Sequence, residues 1–163
     1  MLHYDKSNWI VQNVILVPKF AFSPTAIVKR KPLSPTARRA GWVGCNIVLK
    51  NIPAVTRISL VSDGNINPFD QIRNRYREIV PLQQLNVGQR GWTLEVLRCI
   101  QTLGADEFET KDAYAFKPEL KRFYPKNQHV REKIPQQRQV LRDAGFLKQI
   151  GRGRWGIKIK RQE

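Results

Sequence analysis

The hydrophobic residues of the first half of the chain occur in short β-type runs that prolines interrupt. Residues 9–17 are rich in β-branched side chains and predict a strand. Weaker strand signals cover residues 46–49 and 57–61. Asp63-Gly64 is a turn signal, and a short helix is predicted over residues 68–78. This half is therefore expected to consist mainly of strands and loops.

The hydrophobic spacing changes after residues 79–90, which lack strong periodicity and are predicted to form a linker. Apolar residues then recur at every third position from Leu94 to Leu103, which predicts an amphipathic helix that stops at Gly104. Thr110 is predicted to cap a second helix. The sequence thus predicts two helices in quick succession after the linker.

A third helix is predicted to start at Asn127 or Gln128 and to end at Gly145. Its apolar residues are expected to face inward, and its polar ones outward: Arg131, Lys133, Gln136, Gln137 and Arg138. Pro135 either lies in the first turn of a helix that begins near Ile134, or kinks a longer helix. Two strand candidates follow, at residues 146–150 and 155–159, with a glycine turn between them.

Three helices followed by a hairpin within about 70 residues are typical of a winged helix, whose third helix enters the major groove of DNA. Glutamine pairs bidentately with adenine and arginine with guanine, so Gln136, Gln137 and Arg138 are candidate base readers. Arg152 and Arg154 at the hairpin turn are candidate contacts to phosphate or the minor groove. The alternative is a solvated helix surface, which any basic protein has.

The charge distribution narrows the choice of partner. The formal net charge is +16, and no acidic residue lies between Lys6 and Ser62. A surface of one charge sign repels itself unless a polyanion binds there, and nucleic acid is the commonest such polyanion. Ribosomal and membrane-surface proteins share this charge signature, so charge alone indicates a class of partner.

Several other classes of site find no support in the sequence. Cys45 and Cys99 are far apart and lack metal-ligand spacing, so we expect two reduced, largely buried thiols. No apolar run reaches the length of a membrane span, and the first residues lack the apolar region of a signal peptide. We therefore expect a cytoplasmic protein that does not associate with membranes.

A metal-dependent nuclease needs an Asp and a Glu-x-Lys on adjacent strands, where the carboxylates hold the metal. The chain contains two matches, Glu109-Thr110-Lys111 and Glu119-Leu120-Lys121. Both are predicted in or beside the second helix, and chance matches are expected in a lysine-rich chain. No catalytic residues are assigned, and we expect no metal or cofactor in this chain.

Several segments carry a resemblance to a known family. They are residues 30–47, Arg90-Gly91-Trp92-Thr93, Glu132-Lys133-Ile134, Gln136-Gln137 and Gly151-Arg152-Gly153. In order and over essentially the whole chain they resemble the DpnI-like family of methyl-directed type II restriction endonucleases. The match covers only the C-terminal part of those enzymes.

This resemblance implies an α+β protein: a partial mixed sheet from a truncated PD-(D/E)xK-type domain over residues 1–88, then a winged-helix domain over 89–163. The family cleaves GATC sites that contain N6-methyladenine, and its full-length enzymes need a divalent metal such as Mg²⁺. Their catalytic Asp and Glu-x-Lys precede the matched stretch. The resemblance therefore implies recognition of adenine-methylated duplex DNA, by a monomer, without cleavage by this chain.

At residue level the resemblance makes Trp42 the aromatic that contacts the methyl groups, whereas the sequence alone also allows a core aromatic beside Val43. It makes the surrounding polar residues the DNA contacts: Lys29, Arg30, Lys31, Ser34, Thr36, Arg38 and Arg39. Pro135 departs from the family's pattern, which weakens the carry-over to Arg131 and Lys133. Two alternatives remain open: an active nuclease whose missing part is supplied elsewhere, and a general basic RNA- or DNA-binding protein.

Overall fold

The first half of the chain, in a computed structural model that describes residues 1–159, forms two antiparallel sheets. Its strands are β1 (Leu2–Tyr4), β2 (Val11–Leu16), β3 (Ile27–Lys29), β4 (Cys45–Ile47), β5 (Ile58–Ser62) and β6 (Asn65–Ile66). One sheet has the order β1-β2-β5-β6, and β3 and β4 form a separate hairpin. The prediction of a mixed sheet is wrong for the described residues, because every pairing here is antiparallel.

Local backbone signals explain where the strands of the larger sheet begin and end. The strand predicted over residues 9–17 is shorter, because Trp9 has a φ of 59° and belongs to the turn before β2. The predicted turn at Asp63-Gly64 is confirmed. These residues have φ values of 47° and 80°, which suit the tight hairpin between β5 and β6.

Helices dominate the remainder of the chain. They are α1 (Phe69–Ile79), α2 (Val87–Thr102), α3 (Thr110–Tyr114), α4 (Lys117–Phe123) and α5 (Val130–Asp143). The predicted α1 is confirmed, but the predicted linker over 79–90 is wrong. A 3₁₀ helix at Val80–Gln84 follows α1, and the Asn86 side chain caps α2 by accepting a hydrogen bond from the N–H of Gln89 at 2.9 Å.

The second predicted helix is split into α3 and α4. Pro118 lacks the N–H that a continuous helix needs, and it lies in the first turn of α4 instead. The predicted cap is also wrong, since Glu109 rather than Thr110 caps α3, in a reciprocal capping box with Asp112.

The third helix begins at Val130 and continues through Pro135, so the alternative start near Ile134 is wrong. Two strands follow, and a third precedes α3: β7 (Glu107–Glu109), β8 (Leu147–Gly151) and β9 (Arg154–Ile157). They form an antiparallel sheet in the order β7-β9-β8, in which the predicted hairpin is confirmed and β7 was not foreseen. The predicted α+β class with a C-terminal winged helix is confirmed.

Helix α2 lies in the middle of the hydrophobic core. Every residue from Gly91 to Ile100 is buried, so the predicted one-sided amphipathic pattern is wrong. The core cluster joins Phe20 and Ile58 of the first half to Leu94 and Leu141 of the second. The predicted division at residue 88 stays a prediction, and it falls inside α2. The last four residues of the predicted second domain lie outside the described part.

None of the helices within residues 1–159 is long and apolar enough to cross a membrane.

Candidate nucleic-acid interface

A hairpin arm, which comprises residues 27–47, extends from the first half of the molecule. Strands β3 and β4 form its base, and two backbone hydrogen bonds prolong the pairing: Arg30 donates to Gly44 O at 3.0 Å, and Leu33 donates to Trp42 O at 2.9 Å. At the far end Pro35 follows Ser34 in a turn that Ala37 closes by donating to Ser34 O at 3.0 Å. The arm is thus an ordered hairpin.

The polar residues predicted to bind DNA on the arm are all exposed: Lys29, Arg30, Lys31, Ser34, Thr36, Arg38 and Arg39. Within the described residues none of these cations forms a salt bridge. The Ser34 and Thr36 hydroxyls lie 3.0 Å apart at the turn. The arm therefore presents uncompensated positive charge to solvent, the arrangement that phosphate groups neutralise.

Trp42 lies among these cations with 52% of its surface exposed, which excludes the alternative of a core aromatic. Its indole lies across Gly44, where a Cβ atom would come within 2.9 Å of two ring carbons. An open concavity of about 510 Å³ adjoins the indole, lined by Ile27, Lys29, Trp42, Val43, Gly44 and Cys45. The arm thus offers a flat apolar surface surrounded by positive charge.

The two cysteines differ in environment. Cys45 is exposed on the arm, so the expectation that both thiols are buried is wrong for it. Cys99 is buried in α2, and burial raises the pKa of its thiol to about 12. Only Cys45 is accessible to a reagent in solution.

Helix α5 is oriented differently from the expectation. Arg131 and Gln136 are exposed and Lys133 is partly buried, but Gln137 and Arg138 retain only 2% and 5% of their surface. The prediction that Gln137 and Arg138 face outward is therefore wrong. Both lie on the core side, because Ile134 and Leu141 place positions 137 and 138 on the same helix face.

The contacts of Gln137 and Arg138 are structural. Gln137 accepts a hydrogen bond from the Thr93 hydroxyl of α2 at 2.7 Å. Arg138 donates to the Thr110 hydroxyl at 2.8 Å, and its guanidinium lies 4.9 Å from the ring centroid of Trp155. Burial lowers the pKa of Arg138. Both side chains hold α5 against the core instead of facing a ligand.

The outward surface of α5 includes a residue that the sequence interpretation missed. Gln139 is exposed, as are Glu132, Gln136 and Asp143 at helical spacing from it. The signal was present in the sequence. Ile134 and Leu141 define the buried face, and a period of 3.6 residues then places Gln139 nearly opposite.

The two wing arginines are not equivalent. Arg152 is exposed at the tip, beside Gly153 with a φ of 73°. Arg154 pairs with Glu107 of β7 at 2.9 Å, so a carboxylate already compensates its charge. Arg152 is the stronger candidate for a phosphate contact.

A buried polar network connects the base of the arm to the winged helix. Glu95 of α2 is fully buried and accepts hydrogen bonds from the hydroxyls of Ser23 and Thr25, which precede β3. It also pairs with Arg98 at 3.1 Å, and Arg98 pairs with Glu119 of α4 at 2.7 Å. The network therefore attaches both the base of the arm and helix α4 to helix α2.

Both Glu-x-Lys matches have structural contacts. Glu109 caps α3 and pairs with Lys111 at 2.9 Å, whereas Glu119 pairs with Arg98. Within residues 1–159 no group of three or more His, Cys, Asp or Glu residues is placed to hold a metal ion.

Comparison with known families agrees with this geometry. The model of the DpnI, Dam-replacing family matches residues 1–85, and the model of the Dam-replacing HTH domain matches residues 88–156. The second match covers α2 to α5 and the wing, and a helix-turn-helix domain of this family identifies the protein as DNA-binding. The chain belongs to the DpnI, Dam-replacing family.

Proposed function

We propose that the chain recognises duplex DNA at GATC sites that contain N6-methyladenine, as the DNA-reading part of a DpnI-like type II restriction endonuclease. The observation that carries this proposal is the half-exposed indole of Trp42 beside an apolar concavity, on an arm whose charged residues are all positive. The cations would bind phosphates, and the indole would cover the methyl groups in the major groove.

The energy available from methyl contact sets the expected selectivity. Burying one methyl group yields about 0.8 kcal/mol, so the two methyls of a fully methylated site yield about 1.6 kcal/mol. That corresponds to about a fifteenfold difference in affinity. Stronger selectivity requires that the winged helix also sense the methylated site, through the exposed surface of α5.

A band-shift comparison of methylated and unmethylated GATC duplexes tests this proposal. We expect tighter binding of the methylated duplex by about tenfold or more, with steep salt dependence because about 5–8 phosphates are neutralised. Equal affinities at moderate salt would refute it. Tight binding of RNA with indifference to duplex DNA would instead favour a general basic RNA-binding protein.

The variant Trp42→Ala tests whether the indole of Trp42 provides the preference for methylated DNA. We expect this variant to lose most of the preference for methylated DNA while it keeps most of its affinity for unmethylated DNA, because the cations are untouched. Trp42→Phe keeps an aromatic face and is expected to retain part of the preference. Circular dichroism serves as the control, since an exposed side chain should be removable without unfolding.

Cleavage is not part of the proposed role, and DNA binding by arginine and lysine requires no metal cofactor. Binding of methylated DNA is therefore expected to persist in EDTA, and Mg²⁺ should weaken it only as a competing counterion. Nicking of methylated plasmid by the pure chain with Mg²⁺ would favour the alternative of an active nuclease.

We also propose that the chain binds DNA as a monomer in the cytoplasm. Two free cysteines, one of them exposed, suit a reducing compartment. Sedimentation of the complex tests the stoichiometry, and one chain per GATC duplex is expected.

A further inference from the structure

The N-terminal end of α5 carries an arginine that an aromatic ring holds in place. Arg131 is the second residue of the helix and is exposed. Its guanidinium carbon lies 5.6 Å from the ring centroid of Tyr114 in α3. A guanidinium over an aromatic face is attracted by the ring, and its planar group loses fewer conformations when it binds a ligand.

Tyr114 is itself held by buried groups. The guanidinium of Arg138 lies 6.0 Å from the Tyr114 centroid, and Arg138 is fixed by Thr110 and Trp155. Trp155 belongs to β9 of the wing, and its indole N–H donates to the same Thr110 hydroxyl at 3.3 Å. A chain of contacts therefore runs from the wing through the interior and ends at the exposed guanidinium of Arg131.

We propose that Arg131 is the residue of the winged helix that reads guanine in the GATC site, and that Tyr114 is its positioning residue. This inference rests on the proposed function, since it assigns one base of the proposed target. Arginine donates two hydrogen bonds to the O6 and N7 atoms of guanine, and residues at the N-terminal end of a recognition helix contact base edges.

The other cations of α5 are less suited to this role. Lys133 donates to Gln136 at 3.0 Å and has no planar fork, while Arg142 lies near the C-terminal end of the helix and pairs with Asp143 at 2.9 Å. Arg138, the arginine first expected to face the groove, is buried. Arg131 is thus the exposed arginine at the end of α5 that enters the groove.

Replacing guanine by 7-deazaguanine tests the inference directly, because it removes the N7 acceptor and keeps base pairing. The probe is a methylated GATC duplex with 7-deazaguanine in both strands, compared with the unmodified methylated duplex by band shift. A bidentate contact discriminates by about 5- to 150-fold, so loss of one of its two bonds should weaken binding by about twofold or more. Unchanged affinity of the original protein would overturn the inference.

Variants assign the effect to Arg131 and Tyr114. Arg131→Met keeps the length of the side chain and removes its hydrogen-bond donors, so it should bind both duplexes nearly equally and lose sensitivity to the modification. Tyr114→Phe keeps the aromatic face and should behave as the original protein, whereas Tyr114→Leu should reduce the sensitivity. Arg142→Met, near the C-terminal end of the same helix, is the matched control and should keep full sensitivity. Full sensitivity in Arg131→Met would overturn the assignment.

The proposed function is judged separately, from methylated against unmethylated GATC. A protein that prefers methylated DNA but ignores 7-deazaguanine keeps the proposed function and refutes the role of Arg131. A protein without methyl preference that still loses affinity for 7-deazaguanine through Arg131 refutes the methyl proposal and keeps this one.

Discussion

At the scale of single residues, Gly44 decides how the Trp42 indole lies on the arm. The φ angle of Gly44 is not positive, so a backbone conformation that only glycine adopts easily is not the reason for a glycine at this position. The indole carbons occupy the space in which a side chain would begin. The absence of a Cβ atom therefore lets the ring lie flat against the arm, with the concavity beside it.

Gly44→Ala should displace the indole without unfolding the protein. The added methyl would lie 2.9 Å from two ring carbons, so the exposed ring must move. We expect the preference for methylated DNA to fall by up to about fifteenfold, the whole contribution of two methyl contacts, with an unchanged salt slope. Gly88→Ala is the control, because a Cβ there meets only Asn86 Oδ1 at 3.7 Å. ¹⁹F NMR of protein labelled with fluorotryptophan reports the displacement, and the Trp42→Phe variant identifies which resonance belongs to Trp42. A Trp42 resonance at the same position in Gly44→Ala and in the parent would contradict the prediction.

Cys45 provides a natural reporter of DNA binding to the arm. It is exposed and lines the concavity beside Trp42, whereas the pKa of Cys99 is raised to about 12 by burial. At pH 8 the Cys99 thiol therefore stays protonated as well as inaccessible, and maleimide should modify one cysteine. We expect methylated GATC duplex to slow modification of Cys45 strongly, measured by mass spectrometry. Labelling at the same rate with saturating DNA would place the DNA elsewhere.

At the scale of elements, the two arginines of the wing differ: Arg154 is paired with Glu107, whereas Arg152 forms no salt bridge within residues 1–159. Glu107 belongs to β7, which pairs with β9, so the sheet itself brings this carboxylate to Arg154. The pair is largely exposed and contributes at most about 1 kcal/mol to stability. Its main consequence is electrostatic: one positive charge of the wing is neutralised before DNA arrives.

Glu107→Gln should therefore strengthen DNA binding. Freed from its partner, Arg154 becomes available to a phosphate, which would steepen the slope of log K against log salt by about 0.9. The free energy of unfolding should change by less than about 1 kcal/mol. Glu78→Gln on α1, which removes an equal charge from the partly exposed ion pair with Arg75, serves as the control. An equal gain in that variant would show that only net charge matters.

Helix α5 illustrates how far the sequence predicts this site. Local signals sufficed for the glycine stops and the wing hairpin. The prediction for Gln137 and Arg138 is wrong because their polarity suggests a solvent-facing position, whereas helical spacing places 134, 137, 138 and 141 on one buried face. Their hydrogen-bond partners, Thr93 and Thr110, are distant in the sequence. No local pattern therefore shows that Gln137 and Arg138 can form hydrogen bonds inside the core.

At the scale of the whole molecule, α2 joins the two parts that carry the proposed DNA contacts. The Thr93 hydroxyl binds Gln137 of α5, while Glu95 two residues later binds Ser23 and Thr25 at the base of the arm. Buried ion pairs such as Glu95–Arg98 add little net stability, because desolvation offsets their attraction. We therefore assign this network a positional role: it keeps the arm and the recognition helix at a fixed separation.

Removing Glu95 should make the distance between the arm and the recognition helix more variable. Glu95→Ala leaves Arg98 without one of its two carboxylates, so we expect unfolding free energy to fall by about 3–5 kcal/mol. Thr25→Val keeps the volume and deletes the hydrogen bond to the buried Glu95 carboxylate, at a cost of about 1.5–3 kcal/mol. Because Thr25→Val is the milder variant, its effect can be measured on folded protein. Spin labels attached at Cys45 and at position 152, in the background Arg152→Cys, report the distance between the arm and the wing. A narrow distance distribution in the parent and a broader one in Thr25→Val are expected. Equally narrow distributions would mean that apolar packing around α2 sets the separation and the polar network does not.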